Sequence, residues 1–359
     1  MSRGRSSQGG FILVLVLGIL VILSLLASGV AVTVQRLRDE ESDRQQAMLD
    51  ALDMADTRAS VTYLLLTQRR TFGGLTVDSR VALSEDERVA AGAGDDAGAL
   101  SLMPVGNEIT LDGSLYAGSG EVRFALQDDR GRLPVNWVPA SSIERYLDST
   151  GKPEAAAAVR LANLLADYQD PDDLYRLNSA EQDGYASQRR RPPTNRPLVT
   201  PLELRRVMGW DLALARISDA DLVRTLTTVR SASINANTAS AEVLRSIPGI
   251  DAAMAQRIVD ARRLRPFTSM TSVYQVLGAA LGDEGLLSLY PMDSGTLALS
   301  SPRGGATRVL HWTLTPFDRG GRPWREDYEF ALPNDDRAAE GVVRASPATI
   351  FARPEASPP

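Results

Sequence analysis

The sequence lacks residue types that many catalytic and metal sites need. Of its 359 residues none is cysteine, one is histidine (His311) and one is lysine (Lys152). Without cysteine the chain has neither disulfides nor thiolate metal sites. One histidine excludes multi-histidine zinc sites, and it leaves a Ser-His-Asp triad only if His311 serves it. Because Lys152 is followed by Pro153, the P-loop pattern, which needs Ser or Thr after its lysine, is absent.

Basic residues do not dominate the chain. Its formal net charge is −6, and loss of a leader that carries Arg3, Arg5 and no acid would leave −6 − 2 = −8. Affinity for phosphates depends on clustered Lys and Arg, so an acidic chain argues against nucleic acid as the main partner. Arg3 and Arg5 precede the apolar run described next, and the positive-inside rule therefore predicts a cytoplasmic N-terminus with the other domains across the membrane.

An uncharged run of 24 residues, Phe11–Val34, follows a short polar leader. As a helix it would span a hydrocarbon core about 30 Å thick. A secretory signal, a simple signal anchor and a prepilin-type signal are the three interpretations. A secretory signal has a shorter apolar core of about 7–15 residues. Gly9-Gly10 directly precede this run, and this position favours the prepilin type, in which cleavage between Gly10 and Phe11 keeps the helix.

The apolar spacing predicts four successive regions: the long helix, a first set of strands, a helical region and a second set of strands. No Pro or Gly lies between Val30 and Thr71, which predicts one helix of about 55–60 residues ended by Gly73-Gly74. Strand patterns follow, then helical patterns, then strands again. The predicted fold class is α+β, with a long N-terminal helix packed on an antiparallel sheet and an inserted all-α domain. The predicted boundaries are 1–10 for the leader, 11–34 for the transmembrane helix, 35–140 for the rest of the long helix and the first strands, 141–290 for the inserted domain, 291–332 for the returning strands and 333–359 for a disordered tail.

An acidic stretch, ADYQDPDDLYRLNSAEQDGY, runs from Ala166 to Tyr185. Crowded carboxylates repel one another, and a hard divalent cation relieves that repulsion by taking 6–8 oxygen ligands. The EF-hand spacing is missing, and in a random chain a solvated acidic loop is the more common outcome. Both interpretations stay open from the residues alone. The acids in the stretch are Asp167, Asp170, Asp172, Asp173, Glu181 and Asp183.

A second stretch, Ile234–Phe267, has the spacing of a helix-hairpin-helix unit. Asn237-Thr238 offers an N-cap to its first helix, Ile247–Ile250 forms the turn, and Asp251 caps the second helix. In versions that bind DNA, the backbone of the turn approaches a phosphate and basic residues follow. Asp251 places a negative charge at that position, which favours a structural use or a protein contact. The basic residues that follow are Arg257, Arg262, Arg263 and Arg265.

Together these features resemble the K-type minor pseudopilins of bacterial type II secretion systems, over nearly all of residues 8–332. Besides Gly10-Phe11, the motifs that carry the resemblance are DYQDPDD with AEQDGY, NRPLVTPLELRRVMGW (Asn195–Trp210) and INANTASAEVL. The resemblance implies a pilin-like helix and sheet with an inserted helical domain. Ordinary pseudopilins have glutamate five residues after the cleavage point, whereas this chain has Leu15 there. The K type is the member that characteristically lacks the acid.

The resemblance also implies a function. It predicts a non-enzymatic subunit at the tip of the pseudopilus, anchored once in the inner membrane with a periplasmic ectodomain, which starts assembly and supports export of folded proteins across the outer membrane. Its partners would be the I-type and J-type minor pseudopilins, the prepilin peptidase and the inner-membrane assembly platform, and Phe11 would be N-methylated. Family members bind calcium in the helical domain, and matching by motif makes Asp170, Asp172, Asp173 and Glu181 the candidate ligands, with Asp167 and Asp183 as weaker candidates.

Two rival interpretations remain. A membrane-anchored DNA receptor of the competence type would also carry a hairpin after an INxNTA-like run. An enzyme that uses the acidic loop and a metal is disfavoured, because cysteine is absent and His311, which alternates with Val309 and Thr313 in a strand pattern, is interpreted as structural.

Overall fold

The computed structural model describes residues 9–91, 101–150, 155–279, 281–282, 284–318, 320–334 and 342–351. The chain divides into two compact units, Met1–Leu52 and Asp53–Pro359. Most of the predicted leader, residues 1–8, lies outside the described residues.

Helix α1 runs over 59 residues, Gly9–Thr67, so one long helix forms as the spacing predicts. In the first unit its apolar side chains from Leu13 onward are exposed. An 18-residue window of this helix has a mean hydropathy of 2.9, enough in length and composition to cross a membrane. The helix is thus consistent with a single-pass membrane anchor.

Helix α1 ends six residues before Gly73, earlier than predicted. The chain turns back there as a small hairpin of β1 (Arg70–Thr71) and β2 (Gly74–Leu75). Gly74 has φ +137°, and a Cβ at this position would lie 2.2 Å from the carbonyl oxygen of Ile109. The glycine pair therefore serves a hairpin packed against a neighbouring segment, which helical periodicity alone cannot distinguish from a helix end. Helix α2 (Glu85–Ala91) follows.

Strands β3 (Asp112–Ala117) and β4 (Arg123–Asp128) pair antiparallel, and the chain then leaves them for a long insertion. The insertion starts with a 3₁₀ turn, Asp129–Gly131. The insertion therefore starts before the predicted boundary at 141, directly after Asp128. Its elements in chain order are β5 (Leu133–Pro134), α3 (Ala140–Thr150), α4 (Ala155–Gln169), α5 (Gln182–Ser187), α6 (Trp210–Ala213), α7 (Asp219–Thr225), β6 (Leu226–Thr227), β7 (Ile234–Asn235), α8 (Ala241–Leu244), α9 (Ala252–Leu264), α10 (Met270–Leu277) and β8 (Leu287–Ser288).

Two parallel strand pairs divide the insertion into two lobes. Pairing of β5 with β6 closes the first lobe, residues 133–227, and pairing of β7 with β8 closes the second lobe, residues 234–288. Both lobes contribute to one continuous core, with Trp210 and Tyr146 from the first lobe and Val243 and Ile258 from the second. Each pair brings the two ends of its lobe together, so the insertion is a folded body rather than an extended loop.

The chain returns as β9 (Ser294–Ser300), β10 (Ala306–Leu314) and β11 (Trp324–Pro333), which complete a five-stranded antiparallel sheet in the order β11-β10-β9-β4-β3. Strand β9 lies beside β4, so the insertion leaves and re-enters the sheet at neighbouring strands. The predicted α+β class with an inserted helical domain is confirmed.

The two faces of the sheet have different partners, because successive side chains of a strand point to opposite faces. On one face Leu126, Leu297 and Leu310 pack with Val61 and Leu64 of α1. On the other face Val309 and Leu332 pack against Val223 of α7. The sheet is thus covered by the pilin-like helix on one side and by the insertion on the other.

The predicted disordered tail, 333–359, differs from the structure in part. Strand β11 includes Pro333, and residues 342–351 lie against the sheet. Arg344 forms a bridge with Tyr116 of β3, Ala348 is buried, and the ring of Phe351 lies 5.2 Å from that of Phe124. Composition rich in Ala, Pro and Arg misled the prediction here, because two apolar side chains and one backbone bridge suffice to dock a short segment. Residues 335–341 and 352–359 lie outside the described part of the chain.

Candidate functional site

The acidic stretch forms a loop between α4 and α5. Helix α4 ends at Gln169, two residues before Pro171, as the backbone restriction imposed by proline favours. The carboxylate of Asp172 then accepts a hydrogen bond from the backbone N–H of Leu174 at 2.9 Å, which is the geometry of an Asx turn. Glu181 precedes α5 at the N-cap position, but its side chain makes no capping bond and is buried. The loop thus turns the carboxylate of Glu181 inward.

Three of the six acids meet inside this loop. Oxygen atoms of Asp167, Asp170 and Glu181 lie within 4.8 Å of one another, close enough to share one metal ion. Asp167 and Glu181 are buried, and Asp170 is half-buried. All three offer only oxygen ligands, the donor type that Ca²⁺ prefers. We call these three residues the acidic cluster.

Arg176 already occupies part of the acidic cluster. Its backbone N–H donates to Oδ2 of Asp167 at 2.9 Å, and its guanidinium contacts both Asp167 and Asp170. These bonds use Oδ1 and Oδ2 of Asp167 and Oδ2 of Asp170. In contrast, Oδ1 of Asp170 and both carboxylate oxygens of Glu181 are buried without a hydrogen-bond partner among the described residues. Buried polar atoms are normally paired, so these three oxygens need a proton, a cation or an ordered water as partner.

The electrostatics of Glu181 agree with this geometry. Burial raises the pKa of Glu181 to about 7, and repulsion from Asp167 and then Asp170 adds to that effect. With all three acids ionised and Arg176 retained, the charge of the group is −3 + 1 = −2. One divalent cation neutralises this charge, and the donor set fits such an ion. Arg176 is the member that motif matching missed, although an arginine in the middle of an acidic run is a signal for internal pairing.

The other predicted ligands lie outside the acidic cluster. Asp172, Asp173 and Asp183 are exposed, and an oxygen of Asp172 is used in the Asx turn. Asp172 and Asp173 still contribute repulsion that raises the pKa of Glu181, after the larger effects of burial, Asp167 and Asp170. Their assignment as ligands stays a prediction. Asp167, the weaker candidate at the level of sequence, is the one the fold brings next to Glu181.

The hairpin of the second lobe is capped by a different residue from the one predicted. Ser240 is the N-cap of α8, and its hydroxyl accepts from the N–H of Val243 at 3.3 Å. Asn237 instead donates its amide to the carbonyls of Phe267 and Leu289, at 2.9 and 3.0 Å. The N-cap prediction was wrong because Asn and Thr are good caps in isolation but here bind more distant parts of the chain. Asp251 caps α9 as predicted, accepting from the N–H of Met254 at 2.7 Å.

The INANTAS motif also joins the second lobe to the sheet. The Asn235 amide and the Thr238 hydroxyl donate to the buried carboxylate of Asp128, at 3.1 and 2.8 Å. The same carboxylate accepts from the backbone N–H of Met292 at 2.8 Å. Asp128 is the last residue of β4 and Met292 lies just before β9. This motif is therefore part of the connection between the insertion and the two strands that flank it.

Two of the four arginines after the hairpin have structural roles. The Arg257 guanidinium donates to the carbonyls at the end of α10, Val276 and Leu277, at 3.2 and 3.1 Å. The Arg262 guanidinium donates to the Ala236 carbonyl at 2.9 Å and lies 3.9 Å from an oxygen of Asp112. The exposed guanidinium of Arg263 lies 3.4 Å from Asp260. These arginines therefore stabilise the hairpin through contacts within the protein, rather than forming a basic surface that could bind phosphates.

The predicted processing and assembly residues all lie near the start of α1. Gly10 and Phe11 are helical, and Leu15 is 54% exposed on the same helix. Nothing in the described residues pairs with Leu15, as expected for an apolar side chain in a membrane-spanning helix. The processing and assembly roles of these positions stay predictions.

Known families match two parts of the chain. The family model for type II secretion system (T2SS), protein K, matches residues 129–217, and the model for the helix-hairpin-helix motif matches residues 229–280. These two ranges lie largely in the first and the second lobe. The search of curated proteins found no match to this chain.

A solved structure shares the fold. It is a chain of the crystal structure of the GspK-GspI-GspJ complex from the type 2 secretion system of enterotoxigenic Escherichia coli, at a TM-score of 0.50 and 13% sequence identity. The similarity covers 83% of the present chain and 100% of the other. The chain therefore matches the protein K family in its first lobe and the hairpin family in its second lobe, and it shares the fold of a chain from the GspK-GspI-GspJ complex.

Proposed function

We propose that the protein is a non-enzymatic tip subunit of the pseudopilus that starts its assembly and thereby supports export of folded proteins across the outer membrane. The observation that carries this proposal is the folded two-lobed insertion between β4 and β9. A shaft subunit has another subunit stacked above it, and a body of this size would obstruct that contact. The subunit at the tip has no subunit above it and therefore no such conflict.

Leu15 also supports a location at the tip of the pseudopilus. A glutamate within an apolar membrane helix is costly unless it is paired, and in a helical pilus it can pair with the N-terminal amine of the adjacent subunit. A chain with Leu15 gives up this pairing with a neighbour. The loss is acceptable for the subunit that begins the filament, because it has no earlier subunit to dock against.

The proposal includes partners and location. The similar chain from E. coli was crystallised in a complex with GspI and GspJ, which supports I-type and J-type minor pseudopilins as partners of this protein. Prepilin peptidase would cleave between Gly10 and Phe11, and Phe11 would be N-methylated. The helix would then anchor the protein once in the inner membrane, with its ectodomain in the periplasm and its assembly served by the inner-membrane platform.

We also propose calcium as the ion of the acidic cluster. The support is the set of buried, unpaired oxygens on Asp170 and Glu181 together with the net charge of −2. Glu181, Asp170 and Asp167 would hold the ion, which would supply the positive charge that Arg176 provides only in part. The ion would have a structural role, since it would tie the loop after α4 to the start of α5.

Co-purification tests the proposed function. The full chain is expressed in a membrane host together with the I-type and J-type companions and purified in detergent through a tag on this chain alone. A stoichiometric complex is expected. Failure to recover either companion under conditions in which the chain remains folded by circular dichroism would contradict the proposal.

The variant Leu15→Glu tests the position in the filament. It is expected to insert into the membrane normally but to appear within the shaft as well as at the tip, as seen by cross-linking to the major pseudopilin. Leu17→Glu, two residues away on a different face of the same helix, is the matched control. Tip placement that is unchanged in Leu15→Glu would show that the insertion alone determines position.

Binding to DNA separates this proposal from the competence-type interpretation. Arg257 and Arg262 donate hydrogen bonds to carbonyls within the protein, so we expect the full chain to bind duplex DNA only weakly. Fluorescence anisotropy at low salt measures this binding. Tight binding that falls steeply with salt would favour the DNA receptor instead.

A further inference from the structure

The single histidine of the chain is buried at the junction of the sheet and the insertion. His311 lies on β10 with 1% of its surface exposed. Its Nε2 lies 2.8 Å from Oδ2 of Asp129, and its Nδ1 lies 2.8 Å from Oδ2 of Asp327. Asp129 begins the 3₁₀ turn where the chain enters the insertion, and Asp327 lies on the edge strand β11. The imidazole therefore has a carboxylate at each of its two nitrogens.

This geometry determines the protonation of the ring. A neutral imidazole has one N–H and one lone pair, so it can donate to only one carboxylate. The second contact would then place a nitrogen lone pair 2.8 Å from an anionic oxygen, which is repulsive. Both contacts are hydrogen bonds only if both nitrogens carry protons. We propose that His311 is a buried imidazolium that holds the insertion to the sheet, and that its loss of a proton at alkaline pH loosens this junction.

The two carboxylates have other partners that hold them in place. Asp129 accepts from the guanidinium of Arg132 at 2.7 Å, from the hydroxyl of Thr227 at 2.7 Å and from the hydroxyl of Ser294. Asp327 accepts from Thr313 at 2.6 Å and from the guanidinium of Arg325 at 2.7 Å. We call Asp129, Arg132, His311 and Asp327 the buried junction. These partners hold both carboxylates toward the ring, that of Asp129 in the interior and that of Asp327 at the exposed edge strand.

The surroundings of the ring contain groups that raise the pKa of His311 and groups that lower it. Burial lowers the pKa of His311, but the charge of Asp129 and the hydrogen bonds to Asp129 and Asp327 raise it more, so its pKa lies above the ordinary value. Arg132 opposes this effect, and Arg325 stands beyond Asp327 on the exposed side. The Tyr328 ring stacks on the imidazole, with centroids 4.9 Å apart. A group with a raised pKa stabilises the fold below its unfolded value of about 6.5, and that contribution is lost as pH rises through the folded value.

The buried junction also contacts α7, β6 and β9. Arg132 also donates to the Val223 carbonyl of α7 at 3.1 Å, Thr227 belongs to β6, and Ser294 begins β9. A cavity of about 470 Å³ is lined in part by His311 and Asp327. Deprotonation removes one of the two hydrogen bonds of the ring and therefore weakens the contact between the first lobe and the sheet.

A nitrogen NMR measurement tests the protonation directly. Because His311 is the only histidine, a chain labelled with ¹⁵N-histidine and purified without a polyhistidine tag gives only the two ring nitrogens of one residue. The full chain is measured in detergent micelles from pH 5 to pH 10. Two protonated nitrogens at pH 7, with titration only above the ordinary value of about 6.5, are the expected result. A single protonated nitrogen at pH 7 would overturn the proposal.

Two variants test the role of the junction. Asp327→Asn removes one carboxylate at a partly exposed position, and it is expected to lower the pKa of His311 by about 1. Asp318→Asn, an exposed acid in the turn between β10 and β11, is the matched control and should leave that pKa unchanged.

Chemical denaturation then compares the wild type with His311→Gln. The wild type should lose stability between pH 7 and pH 10 by a larger amount than His311→Gln, which lacks the titrating group. Parallel pH profiles of the two proteins in this range would contradict the proposal, even if the variant is less stable throughout.

Discussion

The protein contains two groups of carboxylates, each built around a buried acid, and the pKa values of these two buried acids are shifted in opposite directions. In the buried junction, burial alone would raise the pKa of Asp129, but Arg132 and His311 hold that pKa well below its usual range. In the acidic cluster, burial and neighbouring acids raise the pKa of Glu181 to about 7. The oxygens of Asp129 are paired with basic or hydroxyl groups, whereas those of Glu181 have no partner among the described residues.

The difference shows that the number of neighbouring cations determines whether a buried acid has a purely structural role or can bind an ion. The junction carries two cations, Arg132 and His311, for its two aspartates. The acidic cluster carries one, Arg176, for three acids. A buried group that supplies its own counter-charges is complete as folded, while a group with excess negative charge requires an ion from solution. The predictions below test this distinction.

The largest effect is expected from Arg132→Ala. The substitution leaves Asp129 buried with one cation fewer, and removal of one partner of a buried ion pair costs about 3–5 kcal/mol. The free energy of unfolding of the full chain in detergent, measured by urea denaturation, should fall by about that amount. Arg160→Ala, on the exposed face of α4, is the control and should change it by less than about 0.5 kcal/mol. A small loss in Arg132→Ala would show that the junction is dispensable.

An intermediate effect is expected from calcium. Binding to the folded state alone stabilises it by about 2.7 kcal/mol at a concentration 100 times the Kd. Calcium should therefore raise the Tm of the wild type, and Glu181→Gln should abolish most of that rise. Asp183→Asn, an exposed acid on α5, is the matched control and should keep the rise. An equal response of Glu181→Gln and the wild type would exclude Glu181 as a ligand.

A smaller effect is expected from pH without calcium. Because the folded pKa of Glu181 is raised from about 4.5 to about 7, the folded state binds more protons between these values and loses stability as pH rises through them. In chelator, the wild type should lose stability from pH 4.5 to pH 7 more steeply than Glu181→Gln. Saturating calcium should remove the difference, since the ion replaces the proton. The junction responds in another window, above about 6.5, so the two groups can be separated by pH.

The sequence predicted the elements better than their contacts. The long helix, the α+β class and the hairpin follow from periodicity and caps, which are local. From the residues alone the acidic stretch offers six acids, and the choice among them depends on how Pro171 and the Asx turn at Asp172 direct the loop. Motif matching chose four of them; Asp170 and Glu181 lie in the acidic cluster, whereas Asp172 and Asp173 are exposed.

Contacts between distant residues account for what the sequence could not predict. His311 was predicted to be structural from its alternation with Val309 and Thr313, and it is buried. Its two acids, however, come from the 3₁₀ turn at Asp129 and from β11 at Asp327. Only the order of strands in the sheet brings them together, and strand order depends on the whole chain rather than on local pattern.

The position of the insertion between neighbouring strands also determines the order of folding. Strands β4 and β9 are paired in the sheet but separated in the chain by residues 129–293. A flexible loop of that length would slow their meeting, because long-range pairs form only after the entropy of closing the loop has been overcome. In each lobe a pair of short strands brings the two ends of the lobe together. Once both lobes have folded, Asp128 and Ser294 are therefore separated by a much shorter flexible connection. During synthesis, therefore, the insertion should acquire its structure before the sheet is completed, and the pilin body should be the last part of the molecule to form.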